Sequence, residues 1–259
     1  MGEIRTTLRE KKVETPSAVT LRLGLDGASF EYRPGQYILI DPHQFEELGP
    51  EIREREAQRG KPLGPGYFSL SSDATDPTTL EITVKIPGEG PPAMLPVFLV
   101  RRLEAGRALS VQGPAGKYHL PEEPPAGISG FLHLCAGSAV APNRGMIRHA
   151  LAKKWPQRHL LLVQDRSEHD ALFRREFEDL VKQHPDALRV RHLHTRSKQQ
   201  ALTAERIRNE AAGFIDLGAT WAFVCGPNHA RPDGPGFVDR VRAMLSATLG
   251  FAPERIRTE

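Results

Sequence analysis

The sequence contains little cysteine. Only two of its 259 residues, Cys135 and Cys225, are cysteines, and both lie inside apolar runs. Two cysteines cannot build a disulfide framework or supply the four ligands of an iron–sulfur cluster. The sequence also lacks any apolar run near the roughly 20 residues that a membrane helix needs. The formal net charge is only +3, with acidic and basic residues interspersed, which argues against a nucleic-acid-binding surface.

The N-terminal residues 1–5 lack the apolar stretch of a signal peptide. Together with the low cysteine content, this predicts a cytoplasmic protein without a membrane span. The composition, 39% hydrophobic and 26% charged, is ordinary for a folded protein and excludes a disordered chain or a collagen-like repeat. At roughly 150 residues per domain, the length favours two domains.

The first half of the sequence contains short segments in which apolar and polar residues alternate. Proline and glycine separate these segments, for example at residues 33–35 and 86–90. Evenly spaced short strands with turn signals between them predict an antiparallel barrel or sandwich. The predicted strands are 19–23, 36–40, 80–86 and 108–111.

A proline- and glycine-rich stretch, residues 121–127, ends this pattern and is typical of a joint between domains. Beyond it, apolar strands alternate with amphipathic helices, which predicts a parallel sheet with right-handed crossovers. We therefore predict two domains, an antiparallel β-barrel over residues 1–124 and an α/β domain over residues 125–259. The predicted strands of the second domain are 130–135, 159–164, 188–194 and 221–225, and its helices are 144–154, 171–183, 203–211 and 236–249.

Residues 45–61 fit neither pattern, because they are densely charged and show no alternation. A run of mixed charge is usually a solvated helix or mobile loop, so an exposed insertion is the first interpretation. The alternative is a lid or a partner-docking element.

The segment 132–142 predicts a strand, a turn of small residues and the start of a helix. Small residues such as Gly137 and Ser138 let backbone N–H groups approach a phosphate at a helix N-terminus. Pro142 is compatible with the first helical turn, because that N–H has no helical partner. A tight strand–helix connection without a ligand is the alternative.

Charged and hydroxyl residues follow the second and third predicted strands of the α/β half. Ligands of open α/β sheets bind off the carboxyl ends of the strands, so Arg166 is expected to meet a ribose or phosphate. Thr195, Arg196 and Lys198 combine a hydroxyl with two cations, which suits a phosphomonoester such as the 2′-phosphate of NADP. The alternative is a solvated basic loop without a ligand, which would contain the same residues.

Two further segments carry chemistry. Cys225, Gly226 and Pro227 end the last predicted strand, where the thiol could face a bound ring or simply be buried. In residues 66–72 an aromatic stands beside hydroxyls, which could stack on a flat cofactor and bond its ring nitrogens. Core aromatics and turn serines are the alternative.

Taken together and in this order, these motifs resemble those of the ferredoxin–NADP reductase superfamily over residues 15–259. No single motif is decisive, and the resemblance depends on their joint order and spacing. The segments that carry it are 33–37 (Arg-Pro-Gly-Gln-Tyr), 68–72 (Phe-Ser-Leu-Ser-Ser), 113–116 (Gly-Pro-Ala-Gly), 136–142 (Ala-Gly-Ser-Ala-Val-Ala-Pro), 165–170 (Asp-Arg-Ser-Glu-His-Asp) and 225–227 (Cys-Gly-Pro).

The resemblance implies FAD on the barrel, NADP or NAD on the α/β domain, and hydride transfer from nicotinamide to flavin N5. It implies that Phe68 flanks the isoalloxazine and that Ser69 reaches toward N5. Cys225 would lie near the nicotinamide, and Glu259 corresponds to the acid of the family's Glu-x-aromatic segment, so Ser69, Cys225 and Glu259 are the candidate catalytic residues. No metal site is expected. The candidate cofactor-binding residues are Tyr67, Phe68, Ser69, Leu70, Ser71, Lys85, Gly137, Ser138, Pro142, Arg166, Thr195, Arg196, Lys198, Gly226 and Pro227.

Three positions depart from the family's pattern. The signature arginine that contacts the flavin pyrophosphate is Gly66 here, and the signature tyrosine is Phe68. A later polar residue that also caps the pyrophosphate falls at Pro96, although Arg101 or Arg102 could compensate. Each charged contact is worth roughly 1.5–3 kcal/mol, so FAD is expected to be weakly held, replaced by a smaller flavin, or absent.

The resulting hypothesis is an NAD(P)H-dependent flavoprotein reductase that passes electrons to a separate protein, such as a ferredoxin, a flavodoxin or an oxygenase component. NADPH is favoured over NADH by Thr195, Arg196 and Lys198. One alternative is a reductase-like module that binds nucleotide or serves assembly without flavin chemistry. Another is a reductase for which free flavin is a substrate.

Overall fold

The computed structural model describes residues 2–88, 93–196, 200–228 and 234–259. Its first half is an antiparallel sheet of six strands in the order β4-β3-β6-β1-β2-β5. A bridge between Leu70 and Ile82 joins the two ends of this sheet, so the barrel is nearly closed, as predicted. The strands are β1 (Gly2–Thr15), β2 (Ala18–Gly24), β3 (Tyr37–Ile40), β4 (Gly66–Ser69), β5 (Thr79–Lys85) and β6 (Ala108–Ala115).

The charged insertion is a helix, α1 (Gly49–Arg59), that closes part of the barrel. Its charged side chains face solvent, but Phe45 and Leu48 before it and Ile52 within it are buried in the barrel core. The helix ends at Gly60, whose left-handed φ of 66° suits a glycine. Of the two structures considered for this segment, the helix is the one observed, and an apolar stripe anchors it.

A second helix, α2 (Met94–Arg101), was not predicted from the sequence. Pro96 lies in its first turn, where a missing N–H costs little. The helix buries Met94, Leu95, Phe98, Leu99 and Val100 against the barrel strands. The prolines and glycines around it indicate turns, and only its apolar residues indicate an element of the core.

The second half is a five-stranded parallel sheet in the order β11-β10-β7-β8-β9. Strand β7 is central: β8 and β9 follow on one side of it, and β10 and β11 on the other. The strand order therefore reverses between β7 and β10, which is where open α/β sheets bind ligands. Helices α3 and α4 pack on one face of the sheet, and α5 and α6 pack on the other. The elements are β7 (Gly130–Ala136), α3 (Val140–Ala152), β8 (Arg158–Asp165), α4 (Arg174–Gln183), β9 (Leu188–His194), α5 (Ala204–Ala211), β10 (Thr220–Cys225), α6 (Phe237–Leu249) and β11 (Ile256–Thr258).

The predicted two-domain class, a barrel followed by an α/β sheet, is therefore confirmed. Residues 116–129, which the structure describes in full, contain no helix or strand. The predicted joint at residues 121–127 lies inside that segment, and the boundary between 124 and 125 stays a prediction. None of the helices in the described ranges combines the length and the apolar character needed to cross a bilayer.

Helix α3 attaches the two halves to each other. The buried guanidinium of Arg144 donates to the Ser71 carbonyl (2.9 Å) and to the carboxylate of Glu81 (2.6 Å), both in the barrel half. It also donates to Glu176 of α4 at 2.8 Å. Next to it, a Cβ on Gly145 would lie 2.5 Å from the Ser72 carbonyl oxygen, so only glycine allows this approach of helix and barrel.

Candidate functional site

The predicted phosphate-binding turn lies at the carboxyl end of the central strand β7. Gly137 has a left-handed φ of 59°, and residues Gly137–Ala139 form one tight helical turn that leads directly into α3. Pro142 is buried in the first turn of α3. Backbone N–H groups at such a helix N-terminus attract phosphate. Gly137, Ser138 and Pro142 therefore lie together at the position that the sequence predicted for them.

A buried polar chain, which the sequence analysis missed, holds this turn from behind. The Asn143 amide donates to the Ala139 carbonyl at 2.9 Å. Its Oδ1 accepts from the Tyr118 hydroxyl at 3.0 Å and faces Nδ1 of His133 at 2.9 Å. Nε2 of His133 lies 3.1 Å from Nδ1 of His159. The four side chains are almost completely buried, so water does not compete for the hydrogen bonds that hold the turn.

The hydrogen-bond partners define where the protons of this chain lie. Because Oδ1 of Asn143 only accepts, Nδ1 of His133 donates to it, and Nε2 of His133 then accepts from Nδ1 of His159. Nε2 of His159 is buried and has no hydrogen-bond partner among the described residues. Burial lowers the pKa of His133 to about 4 and lowers that of His159 well below its usual value, so both rings are neutral near pH 7.

The three candidate catalytic residues come together where the two halves meet. Ser69 ends β4 of the barrel, Cys225 ends β10, and Glu259 follows β11. The Ser69 hydroxyl lies 3.2 and 3.4 Å from the two carboxylate oxygens of Glu259, and the Cys225 thiol lies 3.1 Å from one of them. Residues 190 positions apart in the sequence thus share one hydrogen-bonded cluster.

Burial determines the protonation of this cluster. Burial, followed by the negative charge of Glu259, raises the pKa of the Cys225 thiol well above its usual range, so the thiol is protonated and donates. Burial also raises the pKa of the Glu259 carboxyl, against hydrogen bonds from Cys225 and Ser69 that lower it. A carboxyl with a raised pKa is suited to carry a proton at neutral pH.

Behind Cys225, the two other residues of this motif shape the connection to α6. A Cβ on Gly226 would lie 2.5 Å from the ring of Phe237, so the glycine leaves room for that ring. The Pro227 carbonyl accepts from the Phe237 backbone N–H at 2.8 Å. Both residues therefore hold the carboxyl end of β10 against the helix that follows it.

Strand β4 presents a different aromatic than the resemblance implied. Tyr67 and Ser69 alternate onto the face that meets the second half, and Tyr67 is 66% exposed. Phe68 points the other way and packs in the barrel core with only 8% exposed. The implication that Phe68 flanks a flavin ring is therefore corrected, because Tyr67 is the aromatic available on that face.

Two other candidates on this segment, Leu70 and Ser71, are fully buried. Leu70 packs in the barrel core, and the Ser71 hydroxyl accepts from Thr83 at 3.1 Å. Their backbone N–H groups are bonded to the Gln36 and Glu81 carbonyls. Their side chains therefore stabilise the barrel, and their assignment as cofactor-binding residues stays a prediction.

Neighbouring side chains already occupy the space that a side chain at position 66 would need. A Cβ there would lie 2.8 Å from Leu95 of α2 and 2.8 Å from the ring of Phe68. The cation that the family has at this position is thus replaced by apolar packing. Arg102, one of the residues considered as a substitute, lies 3.8 Å from Glu51 and stacks on the ring of Phe98.

The cationic candidates gather at the ends of β8 and β9. The Thr195 hydroxyl and backbone N–H both donate to the Asp165 carbonyl, and the Arg196 N–H donates to the Arg166 carbonyl at 3.0 Å. These bonds place the backbones of Arg166, Thr195 and Arg196 next to each other, and their assignment to a phosphate stays a prediction. The prediction for Lys198 falls outside the described residues.

Lys85 and Arg166 also connect the two halves. Nζ of Lys85 lies 3.8 Å from the Asp170 carboxylate, which makes an ion pair between the end of β5 and the loop after β8. A Cβ on Gly88 would lie 3.1 Å from the Arg166 guanidinium. Lys85 therefore has a carboxylate partner at the domain interface.

Known proteins resemble this chain in sequence and in fold. Residues 134–230 match the family of oxidoreductase NAD-binding domains. A curated NADPH oxidoreductase from Mycobacterium tuberculosis (strain ATCC 25618 / H37Rv) is 28% identical over 226 residues, which cover 87% of this chain and 53% of that protein. The chain thus spans about half the length of this curated relative.

Solved structures share the whole fold at low identity. The ferredoxin-NADP+ reductase from Plasmodium falciparum has a TM-score of 0.76 at 14% identity, with 99% of this chain and 95% of that chain covered. The flavohem-like FAD/NAD binding domain of nitric oxide dioxygenase from Vibrio cholerae O1 biovar El Tor has a TM-score of 0.74 at 22% identity, with 99% and 97% covered.

The α/β half thus matches the family of oxidoreductase NAD-binding domains, and the chain shares the two-domain fold of the ferredoxin-NADP+ reductase. The resemblance predicted from the sequence motifs is confirmed.

Proposed function

We propose that the chain is an NAD(P)H-dependent oxidoreductase that passes electrons through a flavin to a separate acceptor protein. The observation that carries this proposal is the cluster of Ser69, Cys225 and Glu259. A protonatable carboxyl, a thiol and a hydroxyl from both halves meet at the carboxyl end of β10, next to the position where the strand order of the sheet reverses. Reacting groups held in one such cluster need little further ordering.

The residues present fit a pyridine nucleotide. The turn Gly137–Ala139 and the N-terminus of α3 offer backbone N–H groups to a diphosphate. Arg166 and Arg196 would offer cations to the 2′-phosphate of NADPH, and the Thr195 hydroxyl would turn from the Asp165 carbonyl to the same group, which favours NADPH over NADH. The nicotinamide end would then lie toward Cys225 and Glu259.

The residues also fit a flat flavin ring, although not the diphosphate of FAD at position 66. When bound, a flavin accepts two electrons as hydride and releases them singly. The Ser69 hydroxyl, which donates to Glu259, would turn its hydrogen bond to a ring nitrogen. Glu259 would hold a proton at its carboxyl, and the Cys225 thiol would donate to that carboxyl and keep it in place.

The acceptor is proposed to lie outside these 259 residues, because their two cysteines cannot hold an iron–sulfur cluster. A ferredoxin, a flavodoxin or an oxygenase component would accept electrons one at a time. The same chemistry would let a one-electron dye replace the natural acceptor in an assay.

The filled space at Gly66 favours a second candidate, a nucleotide-binding module without redox activity. One experiment separates the two. The purified protein is reconstituted with FAD or FMN, its visible spectrum is recorded, and NADPH is added without oxygen. The proposed oxidoreductase shows a flavin band that bleaches, and Glu259→Gln slows the bleaching more than it weakens NADPH binding. Binding of NADPH without any bleaching would support the module instead.

A further inference from the structure

The barrel presents an uncharged aromatic platform, formed by Tyr67 and Tyr37, to the second half of the molecule. The two rings are in edge contact with centroids 5.4 Å apart. A Cβ on Gly116 would lie 2.9 Å from the Tyr37 ring, so the glycine leaves room for the ring at this position. Tyr67 is one of the most exposed large apolar side chains of the described residues. An aromatic exposed in this way is a surface on which a flat ring can stack.

The platform adjoins the cluster of Ser69, Cys225 and Glu259. Tyr67 and Ser69 are two residues apart on one face of β4, a separation of about 7 Å along a strand. Tyr37 is the register partner of Ser69 on the neighbouring strand β3. A ring stacked on Tyr67 would therefore have an edge within reach of the Ser69 hydroxyl.

The platform offers no charge to a phosphate. Neither β3 (Tyr37–Ile40) nor β4 (Gly66–Ser69) contains a charged residue. The inner side of β4 is closed, because Leu95 and Phe68 fill the space that a side chain at position 66 would occupy. Strong recognition of a diphosphate needs cations or charge-assisted hydrogen bonds, and these two strands supply none.

We infer that this platform binds the isoalloxazine ring of a flavin through Tyr67 and does not select for the adenylate part of FAD. Riboflavin, FMN and FAD then bind with similar affinity and exchange with solution. This inference rests on the proposed function for the class of ligand. It adds that the isoalloxazine ring is the part of the flavin that is recognised and that Tyr67 is the aromatic side chain that recognises it.

The test is equilibrium dialysis of the full chain against riboflavin, FMN and FAD separately, read by flavin absorbance. We expect the three dissociation constants to agree within about fivefold. Tyr67→Ala should weaken all three about three- to tenfold, the range that one aromatic pair contributes. Val13→Ala is the matched control, because Val13 is 71% exposed on β1 and is not part of the platform, so it should leave all three constants unchanged.

Three outcomes would overturn the inference. If FAD binds more than about 50-fold more tightly than riboflavin, the adenylate is recognised and the inference fails, while the proposed function stands. If Tyr67→Ala binds all three flavins as the parent does, the assignment of the ring to Tyr67 fails. If no flavin binds while NADPH still does, the proposed flavoprotein function fails, and the inference fails with it.

Discussion

His133 and His159, the buried histidines behind the turn Gly137–Ala139, should make the free energy of unfolding strongly dependent on pH. In the folded protein burial lowers the pKa of His133 to about 4. In the unfolded chain a histidine titrates near pH 6.5. This contribution to stability is fully present above pH 6.5 and is lost as the pH falls toward 4, because only the unfolded chain takes up the proton in that range.

The size of the effect follows from these two values. At about pH 5 the unfolded chain carries the proton on His133 and the folded protein does not, which costs about 2 kcal/mol of stability relative to neutral pH. His159, whose pKa burial also lowers, adds a loss of the same sign. The loss from His133 alone is a substantial share of the 5–15 kcal/mol that is typical of folded proteins.

Urea unfolding at about pH 7.5 and about pH 5 measures this loss, and His133→Phe tests its origin. Phenylalanine suits the site, because His133 stacks on Phe223 and lies beside Phe131. The variant loses hydrogen bonds and is less stable at both pH values. The difference between the two pH values should nevertheless shrink by about 2 kcal/mol. An unchanged difference would show that His133 is not a neutral buried ring, and the reasoning would be refuted.

His43 provides a control of opposite sign. Hydrogen bonds to Asp41 and then Glu56 raise the pKa of this exposed histidine. Its stabilising contribution is present below the unfolded pKa and is lost as the pH rises through the folded pKa. His43→Gln should therefore enlarge the loss of stability at acid pH, whereas His133→Phe reduces it.

Three further predictions concern the interface and the nucleotide site. Arg144→Ala should lower the free energy of unfolding, measured in urea, by roughly 3 kcal/mol, because it removes the buried cation that bonds Glu81, Glu176 and the Ser71 carbonyl. The more exposed Arg148 lies 3.6 Å from the same two carboxylates, and Arg148→Ala should cost less than about 1 kcal/mol. Asn143→Leu should raise the Michaelis constant for NADPH several-fold while leaving flavin binding unchanged, and an unchanged constant would contradict its role in holding the turn. Arg196→Ala should raise the Michaelis constant for NADPH far more than that for NADH, and equal effects would refute the 2′-phosphate assignment.

The repeating parts of the fold could be predicted from the sequence because their apolar patterns are periodic. Strand β9 is observed over 188–194, the predicted range, and the other predicted strands agree to within a few residues. Strand β1 was not predicted, because many of its residues, 2–15, are charged and most of them are exposed or only half-buried. The short strands β4 and β11 were missed too, since four or three residues do not establish a period.

The site could be predicted only in part. Ser69, Cys225 and Glu259 were singled out by resemblance, but no spacing in the sequence indicates that their atoms meet. The choice between Tyr67 and Phe68 could not be made from the sequence, because a shift of one residue in a strand exchanges the two faces. Only the buried side of β4, closed by an unpredicted α2, decides which aromatic is exposed.

Consecutive residues of α3 explain how the two halves hold one geometry. Asn143 bonds the nucleotide turn to the buried histidines, and Arg144 bonds the same helix to the barrel. Gly145 then brings the helix backbone into contact with the segment that follows Ser69. Transfer between two bound rings requires reacting atoms about 3–3.5 Å apart. Since one short stretch of helix contacts the turn, the sheet and the barrel, under the proposed function it would set the separation between a nucleotide at the turn and a ring beside Ser69.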